Sequence, residues 1–490
     1  MNAPLLQVKD LRIHLQPNAQ QPKGRTLLEA CSFALNAGER LTMVGESGAG
    51  KSLLAQAIMG TLPAALRASG AISIGGVATN GERALTQALW GRRMMMLPQE
   101  PWSALNPLMR MHSQVAEAAH FARGLDWPTA RQQASTRLQA VGVGHAAQQW
   151  LHQISGGMAQ RVGVACAAVA QASLLIADEP TKGLDPQACA QVAQLLMAAQ
   201  TQGQALLTIT HDLDLAAQLG GQIVVMRQGQ IVEQGPVQQV LQQPQHAYTQ
   251  ALIAAQPKHW ANYPFAATGE AEPVIQAHGL SKCYGERRLF DGLDLALQAG
   301  EVVAISGPSG CGKTTLGNVL LGVVQADAGQ VQHRTGLPRW KFQKLYQDPP
   351  AAFSAFRTLG QALADVRQLH GLSDAQQTQW MQALGLDEGL LARRPHEVSG
   401  GELQRFALLR LMLLQPAFLF ADEPTSRLDP ITQRHTMQVL CDCAAQSGCA
   451  VLLVSHDADL ARSSSHRHLS MADLGRQTPP QHASETLCFQ

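Results

Sequence analysis

Apolar residues in this chain fall in short uninterrupted runs, each closed by a glycine loop, an acid or a histidine. Runs of this length, apolar on both faces, predict strands buried in a parallel sheet. Those at 41–44 and 302–306 enter glycine-rich loops, and the stretches 53–59 and 315–321 follow as predicted helices. Those at 174–177 and 418–421 end in aspartate, and those at 205–209 and 450–454 lead to a histidine. Strands that deliver polar residues from their carboxyl ends fit an open α/β sheet with its ligand at that edge. The stretches between each glycine loop and a later Ser-Gly-Gly are rich in Ala, Gln and Leu. They are predicted to form helical subdomains.

The same motifs occur twice in the same order, the mark of an internal repeat. Gly45-Glu46-Ser47-Gly48-Ala49-Gly50-Lys51-Ser52 returns as Gly307-Pro308-Ser309-Gly310-Cys311-Gly312-Lys313-Thr314. Ser155-Gly156-Gly157 with Gln160-Arg161 returns as Ser399-Gly400-Gly401 with Gln404-Arg405. Asp178-Glu179-Pro180 returns as Asp422-Glu423-Pro424, Leu184-Asp185 as Leu428-Asp429, and His211-Asp212 as His456-Asp457. The second copy is shorter between its glycine loop and its Ser-Gly-Gly, and nearly in step afterwards. The expected domains are 1–256 and 274–478, the first with a C-terminal extension. Residues 257–273, with Pro257, Pro264 and Gly269, read as a linker, and 479–490 as a tail.

Composition narrows the class. A length of 490 residues exceeds one ordinary core, and 46% hydrophobic content excludes a disordered chain. Lys plus Arg total 37 against 36 acids, and the net charge of +1 makes no electrostatic case for nucleic acid or an anionic membrane as partner. No run reaches the ~18 apolar residues of a membrane span. The N-terminus does not read as a signal peptide, so the expected location is cytosolic. The nine cysteines are scattered. The closest pair, Cys441 and Cys443, has no second pair at zinc-site spacing, which predicts reduced, mostly buried thiols.

Both glycine loops match G-x-x-x-x-G-K-[ST]. Their backbone N–H groups can turn inward onto phosphate. Lys51 and Lys313 then reach the β- and γ-phosphates of ATP, and Ser52 and Thr314 offer hydroxyls to Mg²⁺. Asp178 and Asp422 end buried strands, where they can hold Mg²⁺ through water. Glu179 and Glu423 can orient the attacking water, since phosphoryl transfer needs positioning and charge neutralisation. His211 and His456 are candidates for contact with the γ-phosphate. Taken singly, an Asp-Glu pair is as well read as a helix-capping acid, and a histidine after a strand as structural. Their joint recurrence favours chemistry.

This set resembles the nucleotide-binding domains of ABC transporters, twice over nearly the whole chain. The resemblance implies two P-loop domains of α/β class in tandem, each with a mostly parallel-sheet core and a helical subdomain. It implies ATP and Mg²⁺ as cofactors. It also implies two composite ATP sites, each loop facing the Ser-Gly-Gly signature of the other half. Ser155, Gly156 and Gly157 would thus serve the second loop, and Ser399, Gly400 and Gly401 the first. By the same resemblance Gln99 and Gln347 sense Mg²⁺, and Asp185 and Asp429 lie on loops that cross between domains. Tyr284 matches the aromatic on which the family stacks adenine. The first copy has Leu15 there, with His14 as a substitute. Both copies keep their glutamate and histidine, so both are read as hydrolytic.

Pro101-Trp102-Ser103-Ala104-Leu105-Asn106-Pro107 and Pro244-Gln245-His246-Ala247-Tyr248-Thr249 resemble the ATPases of oligopeptide, dipeptide and nickel importers. That implies a cargo of peptide, nickel or a metal–metallophore complex. It also implies two integral membrane permease subunits and, through them, a substrate-binding protein as partners, at the cytoplasmic face of the membrane. Residues 467–476 resemble a weak form of the hairpin that usually ends such a domain. A ribosome-bound tandem ATPase and an exporter ATPase are the alternatives. The short, nearly uncharged 257–273 argues against the first.

Overall fold

The computed structural model describes residues 3–16, 25–99, 104–184, 186–200, 203–265, 272–285, 287–308 and 310–474. The chain divides into two compact units: Met1–Gln256 with Asp429–Ile431, and Pro257–Leu428 with Thr432–Gln490.

The first unit is built on two sheets. Arg40–Gly45, Ala205–Ile209, Leu174–Asp178 and Met94–Leu97 lie side by side in that order, all parallel. Their cores are buried on both faces, which is why the pattern shows unbroken apolar runs rather than alternation. Gln222–Arg227 extends this sheet in parallel, and Gln230–Pro236 closes its edge as an antiparallel hairpin. A second, antiparallel sheet has the order Arg25–Leu35, Leu6–Leu15, Leu66–Ile74, Val77–Ala78. The helices Met111–Arg123 and Trp127–Ala140 pack with Gly156–Ala170 around Met111, Val115, Leu138 and Val162.

The second unit repeats the plan. Phe342–Leu345, Phe418–Asp422, Ala450–Val454, Val302–Ser306 and Arg467–Ser470 form a wholly parallel sheet. Arg287–Leu297, Ile275–Tyr284 and Ala328–His333 form the antiparallel one. Leu359–His370, Asp374–Ala383 and Gly400–Leu413 make the helical part. Part of 257–273 docks on this unit. Tyr263 N–H donates to Ser463 O at 2.8 Å, and the Phe265 ring stacks on His466 at 3.9 Å.

Two expectations need correction. The stretch after each phosphate loop is not helical from its start. It first supplies a strand to the antiparallel sheet and another to the parallel one, and helices begin only at Met111 and Leu359. Residues 467–474 are not a hairpin. Arg467–Ser470 pairs in parallel with Val302–Ser306, and a single turn, Met471–Leu474, follows.

Candidate functional site

Each phosphate loop leaves the carboxyl end of a central strand. Gly45 lies so close to the next strand that a Cβ there would stand 2.1 Å from Met226 O. Gly50 and Gly312 start the next helices at φ 93° and 105°, a left-handed conformation that glycine adopts without steric cost. Lys51 Nζ donates to Gly45 O at 2.7 Å and Glu46 O at 2.8 Å. Lys313 Nζ donates to Gly307 O at 2.6 Å and Pro308 O at 3.0 Å. Burial pulls the Lys51 ammonium below the usual lysine range, against the attraction of Glu179 and Asp178. Cys311 Sγ lies 4.0 Å from Lys313 Nζ.

The neighbouring strands deliver the acids. Asp178 ends its strand in register with Ile209. Burial and then adjacent Glu179 push its carboxyl up to about 6, against a hydrogen bond from Ser52. Asp422 is raised by burial in the same way, and Thr314 bonds to it. The next residues, Glu179 and Glu423, adopt φ 50° and 49°. A non-glycine residue pays about 1–2 kcal/mol for that region. Backbone bonds hold them there: Glu179 N–H to Ile209 O at 2.8 Å, and Glu423 N–H to Val454 O at 3.0 Å.

Both glutamates meet their histidines. His211 Nδ1 lies 2.9 Å from Glu179 Oε1, and Thr210 Oγ1 donates to Oε2 at 3.2 Å. His456 Nε2 lies 2.5 Å from Glu423 Oε1, and Gln347 Nε2 donates to Oε2 at 2.9 Å. Burial alone raises the Glu179 carboxyl, but His211 and the nearby lysines outweigh it and hold the carboxyl below its ordinary value. His211 is raised in turn. Burial opposes its charge, and Glu179 more than compensates. The pair is therefore stabilised as carboxylate and imidazolium.

Ser155 and Ser399 cap the signature helices, accepting from Met158 N–H at 3.3 Å and Glu402 N–H at 3.2 Å. Glu402 closes a reciprocal capping box by accepting from both Ser399 N–H and Oγ at 2.8 Å. Gln160 donates to Pro180 O at 3.0 Å and ties the first signature helix to the acid-bearing turn. Gly157 and Gly401 face Leu184 and Leu428, each of which a Cβ would approach to 3.1 Å.

Other sequence candidates are more dispersed. Gln99 is half-buried just past Met94–Leu97, the strand beside Asp178. Tyr284 ends its strand exposed, with Lys282 Nζ 5.4 Å from its ring centre. His14 Nδ1 pairs with Thr26 Oγ1 at 3.1 Å. Asp429 is buried just ahead of Pro430–Ser447. Asp185, Ser309 and the stretch 101–103 lie outside the described residues. The eight described cysteines are free, and no cluster of three metal-ligating side chains occurs among the described residues. Sequence reasoning missed a contact at the first loop: Glu46 N–H donates to the Tyr248 hydroxyl at 2.8 Å. It also missed Thr210, whose role needs the strand end to turn it onto Glu179.

Two glycine loops with buried lysines, strand-end acids and glutamate–histidine pairs define a P-loop ATPase, and the capped Ser-Gly-Gly helices narrow the class. The chain belongs to the ABC transporter family, whose model matches residues 28–182 and 290–426. Residues 232–289 match the oligopeptide/dipeptide transporter C-terminal region. The chain is 36% identical to the peptidoglycan transport ATP-binding protein YejF of Agrobacterium fabrum, over 94% of this chain and 89% of that one. It is 31% identical to the glutathione import ATP-binding protein GsiA of Salmonella typhi, over 94% and 84%. A structure of the archaeal ribosome recycling factor aABCE1 with the stalk protein aP1 shares the fold, at 20% identity and TM-score 0.60, over 89% of this chain and 83% of that one.

The protein is thus an ABC ATPase that uses ATP with Mg²⁺. Its residues fit the metal. Asp178 Oδ1 is buried with no hydrogen-bond partner, and beside it stands the Ser52 hydroxyl. An all-oxygen donor set is what Mg²⁺ requires.

Proposed function

We propose that this chain is the energy-coupling ATPase subunit of an importer for peptides or peptide-derived compounds, peripheral to the cytoplasmic face of a membrane and bound to two permease subunits. The observation that carries the reading is the importer-type extension at 232–289 on a tandem ABC chain whose relatives bear import and transport names. Those names give no support to nickel or a metallophore as cargo. No helix among the described residues is long and apolar enough to cross a membrane, so membrane coupling falls to partner subunits.

In this reading the two loops, 45–52 and 307–314, bind the phosphates of ATP. Ser52 with Asp178, and Thr314 with Asp422, hold Mg²⁺, assisted by Gln99 and Gln347. When bound, Mg²⁺ neutralises charge on the phosphate oxygens. Glu179, fixed by His211 and Thr210, accepts a hydrogen bond from water and aims it at the γ-phosphorus. Glu423, fixed by His456 and Gln347, does the same in the second unit. The bond to the β–γ bridging oxygen breaks, and ADP and phosphate leave. The N-termini of the two signature helices, with their N–H groups and positive dipole ends, are phosphate-binding elements. Tyr284 offers a face to adenine.

Glu179→Gln and Glu423→Gln should each lower ATP turnover, and the double variant should lose at least about a hundredfold, the usual contribution of a positioned base. Full turnover in the double variant would sink the assignment. Affinity capture of the tagged chain from membranes should bring down two integral membrane proteins. Sedimentation with ribosomes instead would favour the recycling-factor type.

A further inference from the structure

The two phosphate loops are held by different means. In the first unit the residue after Gly45 is Glu46, and its N–H points away from the loop mouth to the Tyr248 hydroxyl, 2.8 Å distant. Tyr248 is 202 positions away in sequence. It lies on Ala247–Ala254, in the region that matches the oligopeptide/dipeptide transporter C-terminus. Its ring is buried with Val44, Leu213 and Leu252, and the Arg227 guanidinium stands 5.0 Å from the ring centre. His246 fixes the start of that helix by accepting from Tyr248 N–H at 3.1 Å.

In the second unit the corresponding residue after Gly307 is Pro308. Proline has no N–H to satisfy. The backbone enters both loops alike, at φ 153° for Gly45 and 154° for Gly307. The described chain of the second unit ends soon after its last strand, and residues 475–490 contain no tyrosine. The loop with a donor has the extension, and the loop without the extension has no donor. A buried N–H without a partner is costly, so these two differences offset each other.

We propose that Tyr248 is a positioning residue of the first ATP site: its hydroxyl anchors Glu46 N–H, so the shape of the first phosphate loop depends on the docked C-terminal extension, whereas the second loop is self-sufficient through Pro308. This rests on loop 45–52 being an ATP site. Any event that lifts Ala247–Ala254 would then weaken nucleotide binding at the first site and leave the second unchanged.

The test uses the full chain in a Glu423→Gln background, where turnover reports the first loop. Tyr248→Phe keeps the ring and removes the hydroxyl. It should raise KM for ATP roughly three- to tenfold, the worth of one hydrogen bond, with kcat within about twofold. The same substitution added to Glu46→Pro, which removes the donor, should change KM by a factor of about one. Equal KM values with and without Tyr248→Phe in the native loop would overturn the proposal. So would an equal rise in both backgrounds, since that would show an effect of packing rather than of the N–H. A measurement free of variants guards against misfolding: the Glu46 amide should exchange slowly with solvent deuterium, and fast exchange there would overturn the proposal. Lys51→Ala is the separate control. If it leaves turnover in the Glu423→Gln background intact, the reading of the loop as an ATP site fails rather than the role of Tyr248.

Discussion

Gly317 and Phe420 of the second unit stand where the first has Ala55 and Ile176, counting from the loop lysines and the strand-end aspartates. A Cβ at Gly317 would fall 2.3–2.4 Å from the Phe420 ring. One unit pairs a small helix residue with a large strand residue, and the other evens them out. Gly317→Ala should therefore destabilise the second unit by about 1–3 kcal/mol through overpacking. Adding Phe420→Ile should recover most of that, because the pair then matches the first unit. Urea denaturation of the single and double variants checks this, and purely additive losses would contradict it. Such compensation is invisible along the chain, since it couples positions far apart. The catalytic side chains were legible for the opposite reason. Lys51, Asp178, Glu179 and His211 each follow a strand of unmistakable pattern, and repetition removed the doubt that single motifs carry. What the sequence concealed was local geometry: the left-handed backbone of Glu179 and Glu423, and the turn that brings Thr210 onto Glu179.

At the scale of elements, legibility followed burial. Strands buried on both faces, such as Leu174–Asp178 and Ala450–Val454, leave unbroken apolar runs and matched their predicted positions. Strands with one exposed face did not. Leu66–Ile74 carries Arg, Ser, Gly and Ala among its apolar residues and is largely open to solvent, so it blended into an alanine-rich stretch read as helix. The hairpin and helices after Gln222 were legible only through family resemblance. Their attachment depends on Glu233, which accepts from Gln245 N–H at 2.8 Å and His246 N–H at 3.1 Å. Partial burial raises the Glu233 carboxyl, but these donors prevail and hold it below 4.5. A depressed carboxyl adds stability that is complete above its unfolded value and lost as pH falls through its folded one. Protection of 245–254 from hydrogen exchange, corrected for intrinsic rates, should thus be flat with respect to this group from pH 5 to 8 and fall below about 4.5. Glu233→Gln, which mimics protonation, should reduce that protection at neutral pH. Unchanged protection in the variant would show that Val237 and Leu252 packing alone holds the extension.

The whole molecule is a duplication whose halves keep their chemistry and diverge in its support. Both present a lysine bound to loop carbonyls, a strand-end aspartate held by a loop hydroxyl, and a glutamate–histidine pair. They differ in the partner of the glutamate's second oxygen, in the capping of the signature helix and in the extension. Equal chemistry argues that both loops bind nucleotide, and stabilisation by a ligand is a direct reading of that. At a hundredfold excess over Kd one site adds about 2.7 kcal/mol to the unit that carries it. ATP with Mg²⁺ should therefore raise the thermal midpoint of the native chain. Lys51→Ala and Lys313→Ala should each leave part of the shift, and the double variant none. If Lys313→Ala alone abolished the whole shift, the first loop would be a site that does not hold ATP by itself, and the lack of an aromatic near Leu15 would be the first place to look. If both single variants kept a partial shift, the differences between the halves would concern how each loop is supported rather than whether it binds.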